Sequence, residues 1–212
     1  MRTIFFLFLI ILVSSCTSQE TKSPKLKLMT FNILGGRNVD GKRDLQRVAD
    51  VINKFKPDFV ALQEVDVKTN RIRKVDVPAE LAKVTGMHSA FGEAMPYDGG
   101  SYGEAVLSKY PIIESKNYKL PALKGAEPRA ALTVKSKVPG FGEIYFTGTH
   151  LDHVRKDTSR MIQAKAINEI YKNGQGIHFM AGDLNTTPNS AVMKELYKTY
   201  EDCWKNDKKG LD

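Results

Sequence analysis

The segment that decides the fold is Ala181-Gly182-Asp183-Leu184-Asn185, which follows the run Gly176-Ile177-His178-Phe179-Met180. This run is mostly apolar, has the length of a strand and ends at a glycine. Because residues two apart in an extended chain point to the same side, Asp183 and Asn185 present their polar groups together. A carboxylate beside a carboxamide suits a metal ion or a phosphate, whereas the alternative is a polar strand end followed by a turn at residues 186–189.

The length and charge of the chain bound its class. The 212 residues are enough for one domain with a substantial core, and 42% of them are hydrophobic. The formal net charge is +8, which is compatible with a nucleic acid, an anionic lipid or a phosphorylated substrate as partner. Because the lysines are spread along the chain, we interpret the charge as a solubilising surface.

The N-terminus has the pattern of an export signal. A basic start, an apolar run over residues 4–13 and two serines precede Cys16, which predicts a signal peptide over residues 1–15. Val13-Ser14-Ser15-Cys16 resembles a bacterial lipobox, in which the cysteine is lipidated; an uncleaved anchor or a plain signal peptide is the alternative. We expect a tether over residues 16–25 and a folded domain over residues 26–212. Cys203 is then the one free thiol, so the fold must rest on its core.

The apolar spacing predicts an α/β domain. A strand over residues 26–33, an amphipathic helix from Asp44 to before Pro57 and a buried strand over residues 58–65 form an opening crossover unit. A charged segment follows at residues 66–77, which we interpret as a substrate-side loop. Then come a short helix (78–85) and antiparallel strands near 87–94, 103–109, 112–120, 129–137 and 143–149.

Two further helices flank the opening segment. We expect one from Thr158 that Gly174 caps, and a last one that Asn189 caps, with Tyr197 and Tyr200 on its apolar face.

Four of these strands end in polar groups: Asn32, Glu64, His150 with Asp152, and Asp183 with Asn185. Oxygen donors without cysteine favour a hard cation such as Mg²⁺ or Mn²⁺. A carboxylate with a nearby histidine can orient and deprotonate an attacking water. The pattern therefore favours hydrolytic chemistry on a phosphate.

Together these motifs resemble the endonuclease/exonuclease/phosphatase superfamily, whose members are deoxyribonuclease-I-like. The resemblance runs in order along the chain and comprises Met29-Thr30-Phe31-Asn32-Ile33, Leu62-Gln63-Glu64-Val65, Tyr102-Gly103 with Val106–Pro111, Pro128-Arg129-Ala130-Ala131, Gly148–Asp152, Arg160 with Gln163, and Gly182–Asn185. It implies a four-layer α/β/β/α sandwich of two packed mixed sheets.

The resemblance also implies roles for the polar strand ends. Glu64 is similar to the family's principal metal ligand, and Asn32 to the residue beside the metal and phosphate. His150 resembles the histidine that contacts the scissile phosphate, Asp183 the aspartate that aligns the water, and Asn185 the asparagine that holds phosphate and water.

Four more residues, Arg129, Asp152, Arg160 and Gln163, match positions that bind substrate or support the cleft. Hydrogen bonding and plain packing or ion pairing remain equal alternatives for Arg129, Arg160 and Gln163. We interpret His178 as a strand residue, and leave open whether Glu104, a departure from the family pattern, is an extra acid near the cleft or a strand-end charge.

The resemblance stops after Asn185. Relatives continue with strands that carry an aspartate and a final Ser-Asp-His, and nothing after Asn185 matches either. We therefore expect this sequence to be cut short, without the last strands of one sheet and with doubtful activity in this form.

The function expected from these observations is a metal-dependent phosphoesterase, a monomer held on a bacterial envelope by its lipid. A phosphorylated small molecule or a lipid head group is the expected substrate, because aromatic residues do not alternate with a basic cluster as in dedicated nucleic-acid binders. A secreted nuclease and an inactive ligand-binding lipoprotein are the alternatives.

Overall fold

The computed structural model describes residues 25–172 and 176–203. The predicted signal peptide (1–15), the predicted lipidation site Cys16 and the tether up to residue 24 lie outside these ranges, as does the predicted helix cap Gly174. Within the described ranges, no helix has the length and apolar character needed to cross a membrane.

The described chain alternates strands and helices much as the apolar spacing predicts. Its strands are β1 (Leu28–Asn32), β2 (Phe59–Val67), β3 (His88–Tyr97), β4 (Gly100–Ser108), β5 (Ile112–Leu120), β6 (Arg129–Val138), β7 (Gly142–His150) and β8 (Ile177–Asp183). Its α-helices are α1 (Leu45–Phe55), α2 (Val77–Thr85), α3 (Thr158–Tyr171) and α4 (Ala191–Leu196), and short 3₁₀ turns lie at Leu34–Gly36 and Asn70–Ile72.

The strands form two four-stranded mixed sheets. One has the order β1-β2-β4-β3 and the other β5-β6-β7-β8. The β1–β2 and β7–β8 pairs are parallel, and the remaining pairs are antiparallel. Helix α1 connects β1 to β2, and α3 connects β7 to β8. The carboxyl-terminal ends of β1 and β8 lie together, because the side chain of Asn32 donates a hydrogen bond to Asp183.

The two sheets pack face to face with helices on both outer faces. The middle core contains Phe59, Val106 and Phe146, while α1 and α2 pack on the first sheet and α3 and α4 on the second. Gly148 lets the sheets approach, because a Cβ there would lie 3.2 Å from the Ala61 Cβ. The predicted α/β/β/α sandwich of two packed mixed sheets is confirmed.

The start and length of α4 differ from the prediction. Ser190, not Asn189, caps the helix, because its hydroxyl accepts a hydrogen bond from the Met193 amide at 3.1 Å. The helix ends at Leu196, so Tyr197 and Tyr200 lie beyond it. Tyr200 still packs against the core beneath α4.

The β2 strand also differs, because it does not end at Glu64. Its register with β4 shifts between Leu62 and Val65, and the pairing then continues to Val67. Glu64 itself has a φ of 58°, which few residues other than glycine adopt readily. Glu64 therefore lies at a β-bulge within the strand, a device that turns a side chain out of the regular alternation.

Candidate active site

The side chain of Asn32 joins the two sheets at the carboxyl-terminal end of β1. Its amide nitrogen donates to Glu64 Oε1 at 2.9 Å and to Asp183 Oδ2 at 3.2 Å. Its oxygen accepts from the Leu34 amide at 3.1 Å. One carboxamide thus holds together two carboxylates from different sheets, as the convergence of strand ends predicts.

His150 and Asn185 extend this network on the second sheet. Asn185 Nδ2 lies 3.0 Å from His150 Nε2 and donates to the Leu151 carbonyl at 2.9 Å. The Asn185 amide donates to Asp183 Oδ1 at 3.1 Å, and His150 Nε2 lies 3.8 Å from Asp183 Oδ2. All five residues assigned to the metal or the chemistry therefore lie in one connected group.

The imidazole of His150 is held in its neutral form. The residue is 4% exposed, and Arg129 Nη1 lies 3.4 Å from its Nδ1. Burial and the charge of Arg129 lower the pKa of His150 to about 4, although the Asp183 carboxylate opposes this shift. A neutral histidine can donate one hydrogen bond, for example to a phosphate oxygen or a water, without carrying a charge of its own.

Arg129 lies behind His150 rather than in the open cleft. It is 2% exposed, forms an ion pair with Glu127 at 2.8 Å, and has its Nη2 3.1 Å from His153 Nδ1. Glu127 was not identified from the sequence as a partner of Arg129. The only sign of this pair in the sequence is that Glu127 lies two positions before Arg129. Both an ion pair and hydrogen bonding thus contribute to the role of Arg129.

The segment after β7 is fixed by α3. Gln163 Oε1 accepts from the Asp152 amide at 2.9 Å, and Arg160 Nη1 donates to the Asp152 carbonyl at 2.8 Å and the Val154 carbonyl at 2.6 Å. Arg160 also pairs with Asp157. These contacts support a hydrogen-bonding role, since they hold the backbone that follows His150.

The carboxylate of Asp152 is completely buried in that segment. Burial acts to raise its pKa, but the hydrogen bond from the Val154 amide and the charge of Arg129 lower the pKa below its ordinary value. Asp152 therefore stabilises the turn after His150 as an anion and does not reach the cleft.

Glu104 on β4 is a buried acid next to this group. Neither of its carboxylate oxygens has a hydrogen-bond partner within the described part of the chain. Burial raises the pKa of Glu104 well above its ordinary value; Arg129 opposes this, while Glu64 and Asp183 reinforce it. The structure thus favours the extra acid near the cleft over a strand-end charge.

The group opens on a cleft of about 570 Å³. Asn32, Asp183 and Asn185 line it, together with Gln63, whose Nε2 is buried without a hydrogen-bond partner among the described residues. Glu64 and His150 lie behind this wall and are reached through Asn32 and Asn185.

His178 lies away from this cleft, as a strand residue of β8. Its ring lies between those of Tyr145 and Tyr171, with centroids at 4.6 and 4.7 Å, and meets the Tyr171 ring edge to face. This confirms that His178 belongs to the strand.

Comparison with known proteins agrees with this architecture. The model of the Endonuclease/Exonuclease/phosphatase family matches residues 29–209. Uncharacterized protein YbhP from Escherichia coli (strain K12) is 28% identical over 178 residues, which are 78% of this chain and 69% of that protein.

Solved structures of the same fold include two bacterial proteins. The endonuclease/exonuclease/phosphatase from Beutenbergia cavernae DSM 12333 is 27% identical with a TM-score of 0.66, and the match covers 78% of this chain and 48% of that one. The chain thus spans about half the length of that protein. The Bacteroides thetaiotaomicron VPI-5482 mannosyl-6-phosphatase Bt3783 is 17% identical with a TM-score of 0.63, over 82% of this chain and 70% of that one, and shares the fold. Because the family model matches most of the chain and the fold agrees, this chain belongs to the endonuclease/exonuclease/phosphatase family.

Proposed function

We propose that this protein is a metal-dependent phosphoesterase that hydrolyses a P–O ester bond by attack of water. One observation carries the proposal: the Asn32 amide joins the Glu64 and Asp183 carboxylates beside a neutral His150 and Asn185. Three of these polar groups line the cleft, and the other two, Glu64 and His150, lie directly behind them. Hydrolysis of phosphoesters is the general chemistry of this family.

The residues fit a sparsely held magnesium ion. Glu64 Oε2 accepts no hydrogen bond within the described ranges, and the Glu64 and Asp183 carboxylates offer the hard oxygen ligands that Mg²⁺ prefers. No three aspartate, glutamate, histidine or cysteine side chains of the described residues group closely enough to hold a metal by themselves. We propose that Glu64 holds the ion and that Asn32, whose amide nitrogen faces Glu64, orients this carboxylate.

The remaining side chains would handle the water and the phosphate. Bound Mg²⁺ supplies a positive charge that polarises a phosphoryl oxygen and stabilises the transition state. Asp183, whose Oδ1 is fixed by the Asn185 amide, orients the water and accepts its hydrogen bond. His150 Nε2 and Asn185 Nδ2 lie 3.0 Å apart, and we propose that a phosphate oxygen accepts a hydrogen bond from this pair.

The test uses bis(p-nitrophenyl) phosphate as diester and p-nitrophenyl phosphate as monoester, with Mg²⁺ and with EDTA. Glu64→Gln and Asp183→Asn should each lower kcat/KM by about 100-fold or more, because each removes one charge without changing shape. Glu114→Gln is the matched control, because Glu114 is an exposed carboxylate of β5.

The outcomes separate the alternatives. Activity that survives EDTA, or that both variants retain, would refute the metal-dependent mechanism. Absence of turnover with retained phosphate binding would favour the inactive ligand-binding lipoprotein. Cleavage of DNA at a rate far above that of small diesters would favour the secreted nuclease.

The cellular setting of this activity is part of the proposal. We propose a monomer attached to a bacterial envelope through lipidated Cys16, acting on phosphorylated small molecules or lipid head groups. Radiolabelled palmitate incorporation in wild type and in Cys16→Ser tests the anchor, and equal labelling of both would contradict it.

A further inference from the structure

A second cavity of about 560 Å³ lies between the loop that follows β1 and the loop that follows β2. Four cationic side chains line it, namely Lys42, Arg43, Arg71 and Arg73, and no acidic residue is among its described lining residues. These residues come from two segments about thirty positions apart, so the fold collects charges that look dispersed along the chain.

Two of the four cations are held in place. Arg71 pairs with the fully buried Asp66 through Nε and Nη2, each 3.0 Å from Oδ2, and its guanidinium lies 4.5 Å from the centre of the Tyr97 ring. Arg43 Nη1 donates to the Gly35 carbonyl at 2.5 Å. A side chain held by such contacts is already ordered, so less conformational entropy is lost when an anion binds to it.

The two guanidinium groups meet at Gly35. A Cβ on Gly35 would lie 2.5 Å from Arg43 Nη1, 2.7 Å from Asp66 Oδ2 and 3.5 Å from Arg71 Nη2. Gly35 has a φ of 60°, so both its conformation and this space require glycine. Asp66 pairs with Arg71, whereas the Gly35 carbonyl holds Arg43.

The other two cations, Lys42 and Arg73, are exposed. Within the described residues, neither side chain has a hydrogen bond or an ion pair, unlike Arg43 and Arg71. Asp66 compensates the charge of Arg71, but the other three cations have no carboxylate partner among the described residues. They repel one another, and an anion in the cavity would relieve that repulsion. Arginine forks also match the oxygens of a phosphate.

The cavity is connected to the candidate active site through the backbone. The Leu34 amide donates to Asn32 Oδ1 at 3.1 Å, and Arg43 Nη1 contacts the Leu34 carbonyl at 3.4 Å. Gly35 is three positions after Asn32, so their Cα atoms lie at most about 11 Å apart. The cationic cavity therefore begins within about 11 Å of Asn32, a span that one ligand with two phosphate groups can cover.

We propose that this cationic cavity binds a second phosphate of the substrate, so that the enzyme prefers substrates with at least two phosphate groups. The inference rests on the proposed function, because the first phosphate is the one hydrolysed beside Asp183. Bisphosphorylated small molecules and the backbone of a nucleic acid both supply the required chemistry.

The experiment compares a double variant with a matched control. Lys42→Gln with Arg73→Gln removes the two unpaired cations and leaves the Arg43 and Arg71 contacts intact. Lys54→Gln with Lys83→Gln removes two exposed cations from the last turns of α1 and α2, away from the cavity. Each protein is titrated calorimetrically with thymidine 3′,5′-bisphosphate, thymidine 5′-monophosphate and an octathymidylate, in EDTA.

The bisphosphate should bind the unaltered protein about tenfold more tightly than the monophosphate, and Lys42→Gln with Arg73→Gln should abolish this preference. The control should retain it. Equal affinities in the unaltered protein, or equal losses in both double variants, would overturn the inference. If octathymidylate binds more tightly and its affinity falls steeply with salt, the natural ligand is the phosphate chain of a nucleic acid. If its affinity hardly depends on salt, the natural ligand is a small bisphosphate.

The readout separates this inference from the proposed function. Binding in EDTA requires no turnover, so a retained bisphosphate preference without hydrolysis of bis(p-nitrophenyl) phosphate would contradict only the function. Hydrolysis that depends on Glu64, without any bisphosphate preference, would contradict only the cavity.

Discussion

The acid sensitivity of the fold should depend on His150. Its pKa falls from 6.5 to about 4 in the folded protein, chiefly through burial and Arg129. Between pH 6.5 and pH 4 the imidazole is protonated in the unfolded chain but not in the folded chain, so lowering the pH favours unfolding. A shift of about 2.5 units at about 1.4 kcal/mol per unit corresponds to a loss of about 3 kcal/mol between pH 6.5 and pH 4.

The assay is urea unfolding of wild type and of His150→Gln from pH 7.5 to pH 4, with EDTA present. Both proteins share other acid-sensitive groups, including Asp58 and Asp152, whose pKa values are lowered after burial is offset by hydrogen bonds. The difference between the two proteins therefore isolates His150. The variant should be the less stable protein at pH 7.5, and most of this deficit should disappear by pH 4.

Two results would refute this reasoning. The first is a difference in unfolding free energy between the two proteins that stays constant over the whole pH range. The second is a midpoint near 6.5 when the ring carbon resonance of His150 is followed by NMR, because a buried ring flanked by Arg129 cannot then be present.

Three other changes test separate features. Glu104→Gln should flatten the dependence of the unfolding free energy on pH in EDTA, because the raised pKa of Glu104 makes the wild type lose up to about 1.4 kcal/mol per pH unit above the ordinary range of a glutamate. Parallel curves for wild type and variant would contradict this. Gly182→Ala should destabilise the fold by more than about 3 kcal/mol in thermal or urea unfolding, since its Cβ would lie 2.0 Å from the Thr149 carbonyl oxygen. Gly148→Ala should destabilise the fold less, because the nearest atom to its Cβ would be 3.2 Å away. Asn32→Ala should lower the free energy of unfolding in EDTA by about 1–3 kcal/mol, because Glu64 and Asp183 lose their shared donor; an unchanged midpoint in urea would argue against this bridge.

Local sequence patterns anticipated the layers and the meeting of strand ends. Apolar alternation and helical spacing depend on neighbours within one or two turns, so the helix over Leu45–Phe55 and the strand over Ile112–Leu120 follow from them. The convergence of Asn32 with Asp183 follows from two parallel pairs ending at the same side of the molecule.

Features that depend on pairing could not be read in the same way. The apolar run of β2 gives no sign of the register shift at Glu64, because the shift is defined by the partner strand β4. Serine and asparagine cap helices about equally well, so Ser190 and Asn189 are equivalent in a local pattern. Lys42 and Arg73 line the same cavity because two loops that are distant in sequence come together in the fold. The positive charge is therefore not only a solubilising surface.

The expectation that the sequence is cut short remains a prediction. Its test is the genomic DNA that follows the codon for Asp212. An in-frame continuation with an aspartate-bearing strand and a Ser-Asp-His segment would support it, and an immediate stop codon would contradict it.

The position of β1 and β8 has a consequence for exchange with solvent. Each has one hydrogen-bonded neighbour among the described strands, β2 and β7 respectively. Amide groups on their outer sides should therefore take up deuterium far sooner than those of the inner strands β4 and β6. Asn32 and Asp183 are the last residues of these two edge strands. A ligand that contacts both residues should therefore slow deuterium uptake along β1 and β8 together, and this slowing would measure occupancy of the cleft without any turnover.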